Sequence, residues 1–126
     1  MGPQLLAIAI GGALGAVLRH TIATWVQSSA NTQFPWGTIA VNLLGCFTIG
    51  FLFQLFERWS LTQNQRSFIF TGLLGAFTTF STYGLDIVKL LQTGNISGTA
   101  VKLLISNGGG ILLVIAGIAL GRSLTQ

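Results

Sequence analysis

The feature that most constrains this chain is a segment that interrupts an apolar run with small and hydroxyl-bearing residues. Gly72 to Asp86 reads GLLGAFTTFSTYGLD and carries five hydroxyl side chains and two closely spaced glycines. A bilayer offers no water to backbone or hydroxyl groups, so such a segment persists at membrane depth only where protein or a hydrated cavity satisfies it. The segment is therefore a candidate ion site.

Composition places the chain in a membrane. Of its 126 residues 51% are hydrophobic and 6% are charged, whereas a soluble domain carries about 25% charged residues. Four apolar runs approach the roughly 20 residues that a helix needs to cross the hydrocarbon layer. The sequence predicts an all-α membrane protein: a single four-helix transmembrane domain over residues 1–126, with spans at about 5–25, 37–56, 68–91 and 99–120.

The basic residues are balanced between the two membrane faces. With four spans, three fall on the side of the N terminus and three at or near the other side: Arg58, Arg66 and Arg122 against Arg19, Lys89 and Lys102. An excess of Lys and Arg normally sets orientation, so this balance predicts insertion both ways, unless Arg19 and Lys102 lie too deep to count. Oppositely oriented copies can form an antiparallel, dual-topology homodimer. The cations are scattered singly, which argues against nucleic-acid binding.

The chain has few side chains that could carry out catalysis. The chain has one His, one Cys and two acidic residues, and the predicted topology places Glu57 and Asp86 on opposite sides of the membrane, so paired acid and base catalysis is not expected. The sequence therefore predicts a protein that is not an enzyme.

Pairs of glycines four residues apart predict close helix contacts. Gly11 and Gly15 share one helix face, as do Gly117 and Gly121, and such small faces pack against helices of the same chain or of a partner. A bundle of four helices has a small interior, so any pore is expected between subunits.

The third span is predicted to break into two half-helices near Gly75 to Thr79. Glycine weakens the helix there, and the hydroxyls that follow can bond to the backbone. Freed carbonyls at the end of the first half would suit a small hard cation such as Na⁺. Phe80 and Tyr83 would present rings from the second half, whose electropositive rims can stabilise an anion, although such a pair also serves packing.

Polar residues in the second and fourth spans could extend this site. Thr38 and Asn42 lie one turn apart on the second span, and on the fourth Lys102 shares a face with Ser106, with Asn107 beside them. They form either a polar line or separate bonds to neighbouring helices.

Charged side chains in the spans also need partners. Arg19 and Asp86 should face protein or a hydrated vestibule, because charge at bilayer depth is costly. Alternatively Asp86 pairs with Lys89, three residues further on.

With these residues in view, the chain resembles the Fluc (CrcB) fluoride channels over essentially its whole length. The motifs that carry the resemblance are GGALGAVLRH, WGTIAVNLLG, GLLGAFTTFSTYGLD and QTGN. The resemblance implies a dual-topology homodimer in the bacterial plasma (inner) membrane. Its two antiparallel pores would export fluoride passively, and a structural Na⁺ would lie at the dimer interface.

The resemblance also implies residue roles. Backbone carbonyls of Gly75 and Thr78 from both subunits would hold Na⁺, and the pore and its polar track would be formed by Asn42, Phe80, Tyr83, Thr38, Thr82 and Ser106. Arg19, Asp86 and Lys102 would lie at or near the vestibules. Tyr83 stands where the family has Phe, and Gly110 where it has a serine.

Two other functions remain as alternatives. A small dual-topology, proton-coupled multidrug exporter needs a membrane-embedded carboxylate, typically in the first span, and this chain has none there. A non-conducting membrane scaffold would use its polar residues for assembly only, which leaves the third span unexplained.

Overall fold

The computed structural model describes all 126 residues, and every regular element is helical. The first span is the helix Gly2–Ala30, the second is Trp36–Arg58, the third comprises helical residues 63–77 and Phe80–Gln92, and the fourth is Ile96–Thr125. Each span is long and apolar enough to cross a membrane. The predicted all-α architecture with four membrane-spanning helices is confirmed.

The helices extend beyond the predicted spans by a few residues at each end. Hydropathy marks only the part that fits the hydrocarbon layer, whereas helical hydrogen bonding continues into the polar interface. Polar side chains then end the helices. Gln27 Nε2 donates to the Thr32 carbonyl at 2.7 Å in the first turn, and Asn95 Oδ1 accepts from the Gly98 N–H at 2.8 Å to begin the fourth span.

Two tight glycine contacts organise the bundle. A Cβ on Gly11 would collide with the Phe68 carbonyl, where the first span packs on the third, and a Cβ on Gly117 would collide with the Phe47 carbonyl, where the fourth packs on the second. Gly15 and Gly121 are buried in the same two contacts. The predicted close contacts are confirmed, and they lie within one chain.

Two stretches of π-helix flank the site. They span Ser67–Leu74 in the third span and Leu104–Gly109 in the fourth. A π-helical turn holds an extra residue and so changes which side chains share a face, and such turns often occur at functional sites. The sequence pattern did not predict them.

The third span is discontinuous at Thr78 and Thr79. The first half-helix ends at Phe77, and both threonines are extended, with φ/ψ of −90°/157° and −147°/121°. The second half-helix begins at Phe80, where the Thr79 hydroxyl accepts a hydrogen bond from the Thr82 N–H at 3.3 Å. The break falls at the end of the predicted interval from Gly75 to Thr79.

Candidate functional site

Asn42 of the second span holds the break in place. Its Oδ1 accepts from the Thr79 N–H at 2.8 Å, and its Nδ2 donates to the Thr79 carbonyl at 3.0 Å. Gly45, one turn further on, lies directly against Thr78, because any Cβ there would collide with Thr78 Cγ2. The second span therefore supplies both the partner and the space that an extended segment needs at membrane depth.

The two carbonyls predicted to bind a cation have lost their ordinary helical donors. In a continuous helix the Gly75 carbonyl would accept from Thr79 and the Thr78 carbonyl from Thr82. Here the Thr79 N–H donates to Asn42 and the Thr82 N–H donates to the Thr79 hydroxyl. Both oxygens are left available to a ligand. The chain has no cluster of three or more His, Cys, Asp or Glu residues.

A cleft of about 330 Å³ lies beside the break. It brings together six of the predicted site residues from three spans: Asn42, Gly75, Thr78, Phe80, Tyr83 and Ser106. No charged side chain lines it. The Ser106 hydroxyl is buried there without a hydrogen-bond partner, which is costly unless a ligand accepts from it.

The aromatic pair borders this cleft. The ring centroids of Phe80 and Tyr83 are 5.4 Å apart and their planes are tilted by 35°. Phe80 is 82% exposed, so it contributes little to the packing of its own chain. Its ring is available to an ion or to a second subunit.

Two of the predicted polar residues lie outside the cleft. Thr38 is half-buried on the second span, one turn before Asn42. Thr82 is exposed, and its Oγ1 accepts from the Thr79 hydroxyl at 3.2 Å. Neither residue is among those that line the cleft.

The charged residues form a separate arrangement. Lys102 is completely buried, and its Nζ lies 3.1 Å from Asp86 Oδ2. The suggested pairing of Asp86 with Lys89 is therefore wrong, because Lys102 reaches across from the neighbouring span. Asp86 and Lys89 also line a second cavity of about 400 Å³ that borders the turns at Gln33–Pro35 and Thr93–Asn95. Arg19 is half-buried on the first span and lines neither cavity.

Seven residues that line the cleft were not among the predicted site residues: Gly45, Cys46, Ile49, Phe70, Leu74, Thr79 and Asn107. The sequence places Asn107 beside the polar line of the fourth span but assigns it no role in the site. Asn107 directly follows Ser106, and adjacent residues of a regular helix face different directions. The π-helical turn at Leu104–Gly109 brings both to the cleft, and no residue pattern marked that turn.

The fold and the site define a class of protein: a small integral membrane protein with four spans, a discontinuous third span and an uncharged polar cleft beside the break. Residues 6–118 match the family described as CrcB-like protein, Camphor Resistance (CrcB). The chain belongs to this family.

Curated relatives resemble the chain over almost its whole length. It is 40% identical to the "Fluoride-specific ion channel FluC" of Parabacteroides distasonis, covering 96% of this chain and 94% of the relative. It is 44% identical to proteins of the same name from Agrobacterium fabrum, covering 96% and 98%, and from Chloroflexus aurantiacus, covering 94% and 95%.

Proposed function

We propose that this protein is a fluoride-selective channel that exports F⁻ passively down its electrochemical gradient across the bacterial plasma membrane. The observation that carries the proposal is the uncharged cleft at the break, lined by amide and hydroxyl donors and aromatic rings. It occurs in a chain 40% identical to a protein named as a fluoride-specific channel.

The residues of the cleft suit a small, strongly hydrated anion. Asn42 Nδ2 uses one hydrogen on Thr79 and keeps the other, and the Ser106 hydroxyl is unpaired. These donors replace hydration, and the Phe80 rim adds positive potential without a fixed charge. Binding stays weak enough for the ion to leave, as conduction requires. Fluoride that enters a cell as neutral HF ionises inside, and the membrane potential drives the anion out.

The outer face of the break supports an antiparallel dimer. Gly75, Phe80 and Ser81 are all exposed on the single chain, yet unpaired backbone groups cannot face lipid. A second copy, inserted the opposite way, would place the same surface against this one across a twofold axis. Each pore would then lie between subunits, giving two per dimer.

The residues present fit the Na⁺ that the family resemblance implies. The available carbonyls of Gly75 and Thr78, contributed by both copies, would hold it, because uncharged backbone oxygens suit a monovalent hard cation. When bound, the ion supplies positive charge that fixes the two breaks together at the interface.

The experiment is fluoride efflux from liposomes that contain the purified protein. We expect rapid, electrogenic F⁻ efflux, no comparable chloride efflux, and no transport of a cationic drug under a proton gradient. Phe80→Ile and Asn42→Ala should each lower fluoride flux about tenfold, since a hydrogen bond or similar contact to a charged group contributes about 1.5 kcal/mol.

Thr21→Val is the matched control. The Thr21 hydroxyl donates to the Val17 carbonyl of its own helix at 2.9 Å and lies outside the cleft, so flux should not change. Absence of fluoride efflux from the wild-type protein contradicts the proposed function. Efflux that neither Phe80→Ile nor Asn42→Ala alters leaves the function standing and removes the assignment of these residues to the pore.

A further inference from the structure

The hydroxyl of Tyr83 is held by Asn107, a residue outside every sequence motif. Asn107 Nδ2 donates to the Tyr83 oxygen at 2.7 Å and to the Leu103 carbonyl at 2.9 Å. The Leu103 carbonyl can only accept a hydrogen bond, so the Asn107 amide atom that contacts it must be the NH₂ group and not the oxygen. The Tyr83 oxygen is therefore the acceptor from Asn107, and its own hydrogen is unused.

The π-helical turn makes this contact possible. Lys102 and Asn107 are five residues apart, a spacing that a regular helix places on different faces. The extra residue in the π-helical turn at Leu104–Gly109 rotates Asn107 toward the helix face that carries Lys102. Both reach Tyr83: the amide of Asn107 at its oxygen, and Lys102 Nζ at 5.8 Å from its ring centroid.

The bond from Asn107 strengthens Tyr83 as a hydrogen-bond donor. A hydroxyl that accepts a hydrogen bond is polarised and donates more strongly through its own hydrogen. The ion pair of Lys102 with Asp86 lies near the ring of the same tyrosine, with Lys102 Nζ 5.8 Å from the Tyr83 ring centroid and 3.1 Å from Asp86 Oδ2.

The free hydrogen of the Tyr83 hydroxyl is available to a ligand in the cleft. Tyr83 and Ser106 both line it, and the buried Ser106 hydroxyl has no partner. Two hydroxyl donors thus border one cavity that contains no carboxylate and no cation. A small anion that accepts from both satisfies donors that the protein alone leaves unused.

We propose that the Tyr83 hydroxyl is a donor to the transported anion and that Asn107 is the positioning residue that directs it. This inference rests on the proposed channel function and adds to it a specificity-determining contact. A phenylalanine at position 83 would keep the ring and lose the donor, so the hydroxyl raises the affinity of the pore for fluoride.

Flux measured against fluoride concentration tests the contact. Tyr83→Phe should raise the half-saturating fluoride concentration about tenfold, the effect of losing one hydrogen bond to a charged group. Asn107→Leu should raise it in the same direction. In the Tyr83→Phe background Asn107→Leu should have no further effect, because the two residues act through one hydroxyl.

Thr48→Val is the control, since it removes a hydroxyl that bonds only to the Leu44 carbonyl of its own helix. The readout independent of flux is the carbon-13 resonance of Tyr83 Cζ, which is a single signal because the chain contains one tyrosine. It should shift as fluoride is added, should not shift with chloride, and should lose its response in Asn107→Leu.

A half-saturating concentration unchanged by Tyr83→Phe, or a Cζ resonance that ignores fluoride in a conducting protein, overturns the inference and leaves the channel function intact. If the wild-type protein does not conduct fluoride, the proposed function fails. The Cζ resonance then decides the inference separately: a fluoride-specific shift supports an anion contact at Tyr83, and no shift overturns it.

Discussion

The two halves of the third span are held in opposite ways. The first half, residues 63–77, packs closely along the first span and buries Ser67, Gly72, Leu74 and Phe77. The second half, Phe80–Gln92, buries only Leu90 and leaves Phe80, Leu85, Val88 and Leu91 exposed. Its links to the neighbouring span are polar, through Asp86 and Tyr83.

This difference reflects the two means that a membrane protein has for joining helices. Lipid is as apolar as leucine, so burial of apolar surface gains little, and helices associate through close packing or through hydrogen bonds. The first half uses packing against glycine and the second uses polar contacts. Both halves border the cleft: the tightly packed first half contributes Phe70, Leu74 and Gly75, and the more exposed second half contributes Phe80 and Tyr83.

The largest expected effect is on the polar half. Asp86→Ala leaves the ammonium of Lys102, which is 0% exposed, without its partner, and should lower the free energy of unfolding by about 3 kcal/mol. Lys102→Met should lower the free energy of unfolding by less, because the Asp86 side chain is 14% exposed and water can partly solvate its unpaired charge. Both free energies can be measured by unfolding the purified variants in mixed micelles that contain an increasing fraction of a denaturing detergent.

The control for this pair is the double variant Asp86→Leu with Lys102→Met. Removing both charges should recover most of the lost stability, since replacement of a buried ion pair by apolar side chains is often neutral. A double variant that is no more stable than Asp86→Ala would show that the polar half does not depend on the pair.

A smaller effect is expected on the packed half. Gly11→Ala introduces a methyl group against the Phe68 carbonyl, and should lower the free energy of unfolding by about 2 kcal/mol through overpacking. Gly12 is its matched control, because a Cβ there meets nothing within 4 Å. Gly12→Ala should be neutral or stabilising, since alanine favours helix. Equal losses for the two variants would contradict close packing as the basis of this half.

The smallest effect concerns the partner that we expect to cover the exposed half. Asn64→Lys and Gln92→Lys add one cation at opposite ends of the third span, and each should shift the ratio of the two orientations about fivefold, in opposite directions, for about 1 kcal/mol per cation. Protease protection of a terminal tag measures the ratio. A wild-type chain with one orientation that neither substitution alters would rule out dual topology.

Much of the fold could be predicted from composition. The four apolar runs gave the four spans, and the glycines and hydroxyls between Gly75 and Thr79 gave the break, because both follow from the absence of water in a bilayer. The close contacts at Gly11 and Gly117 were also predictable, although spacing alone could not decide whether they lay within one chain.

The rest depended on geometry that no residue pattern carries. The partner of Asp86 proved to be Lys102, sixteen residues away, because the short turn at Gly94 brings the fourth span beside the second half-helix. The placement of Asn107 depended on the π-helical turn, which leaves no recognisable spacing in the sequence. Local periodicity therefore could not identify either contact.

The double hydrogen bond between Asn42 and Thr79 restricts what can replace this asparagine. To pair with both the N–H and the carbonyl of one residue, a side chain needs a donor and an acceptor held side by side, which among the natural amino acids means a primary amide. Aspartate lacks the donor, serine offers a single atom, and glutamine is one methylene too long for the same backbone separation. The double bond to Thr79 therefore limits the choice of side chain at position 42 through the pairing chemistry of the main chain, independently of any ion.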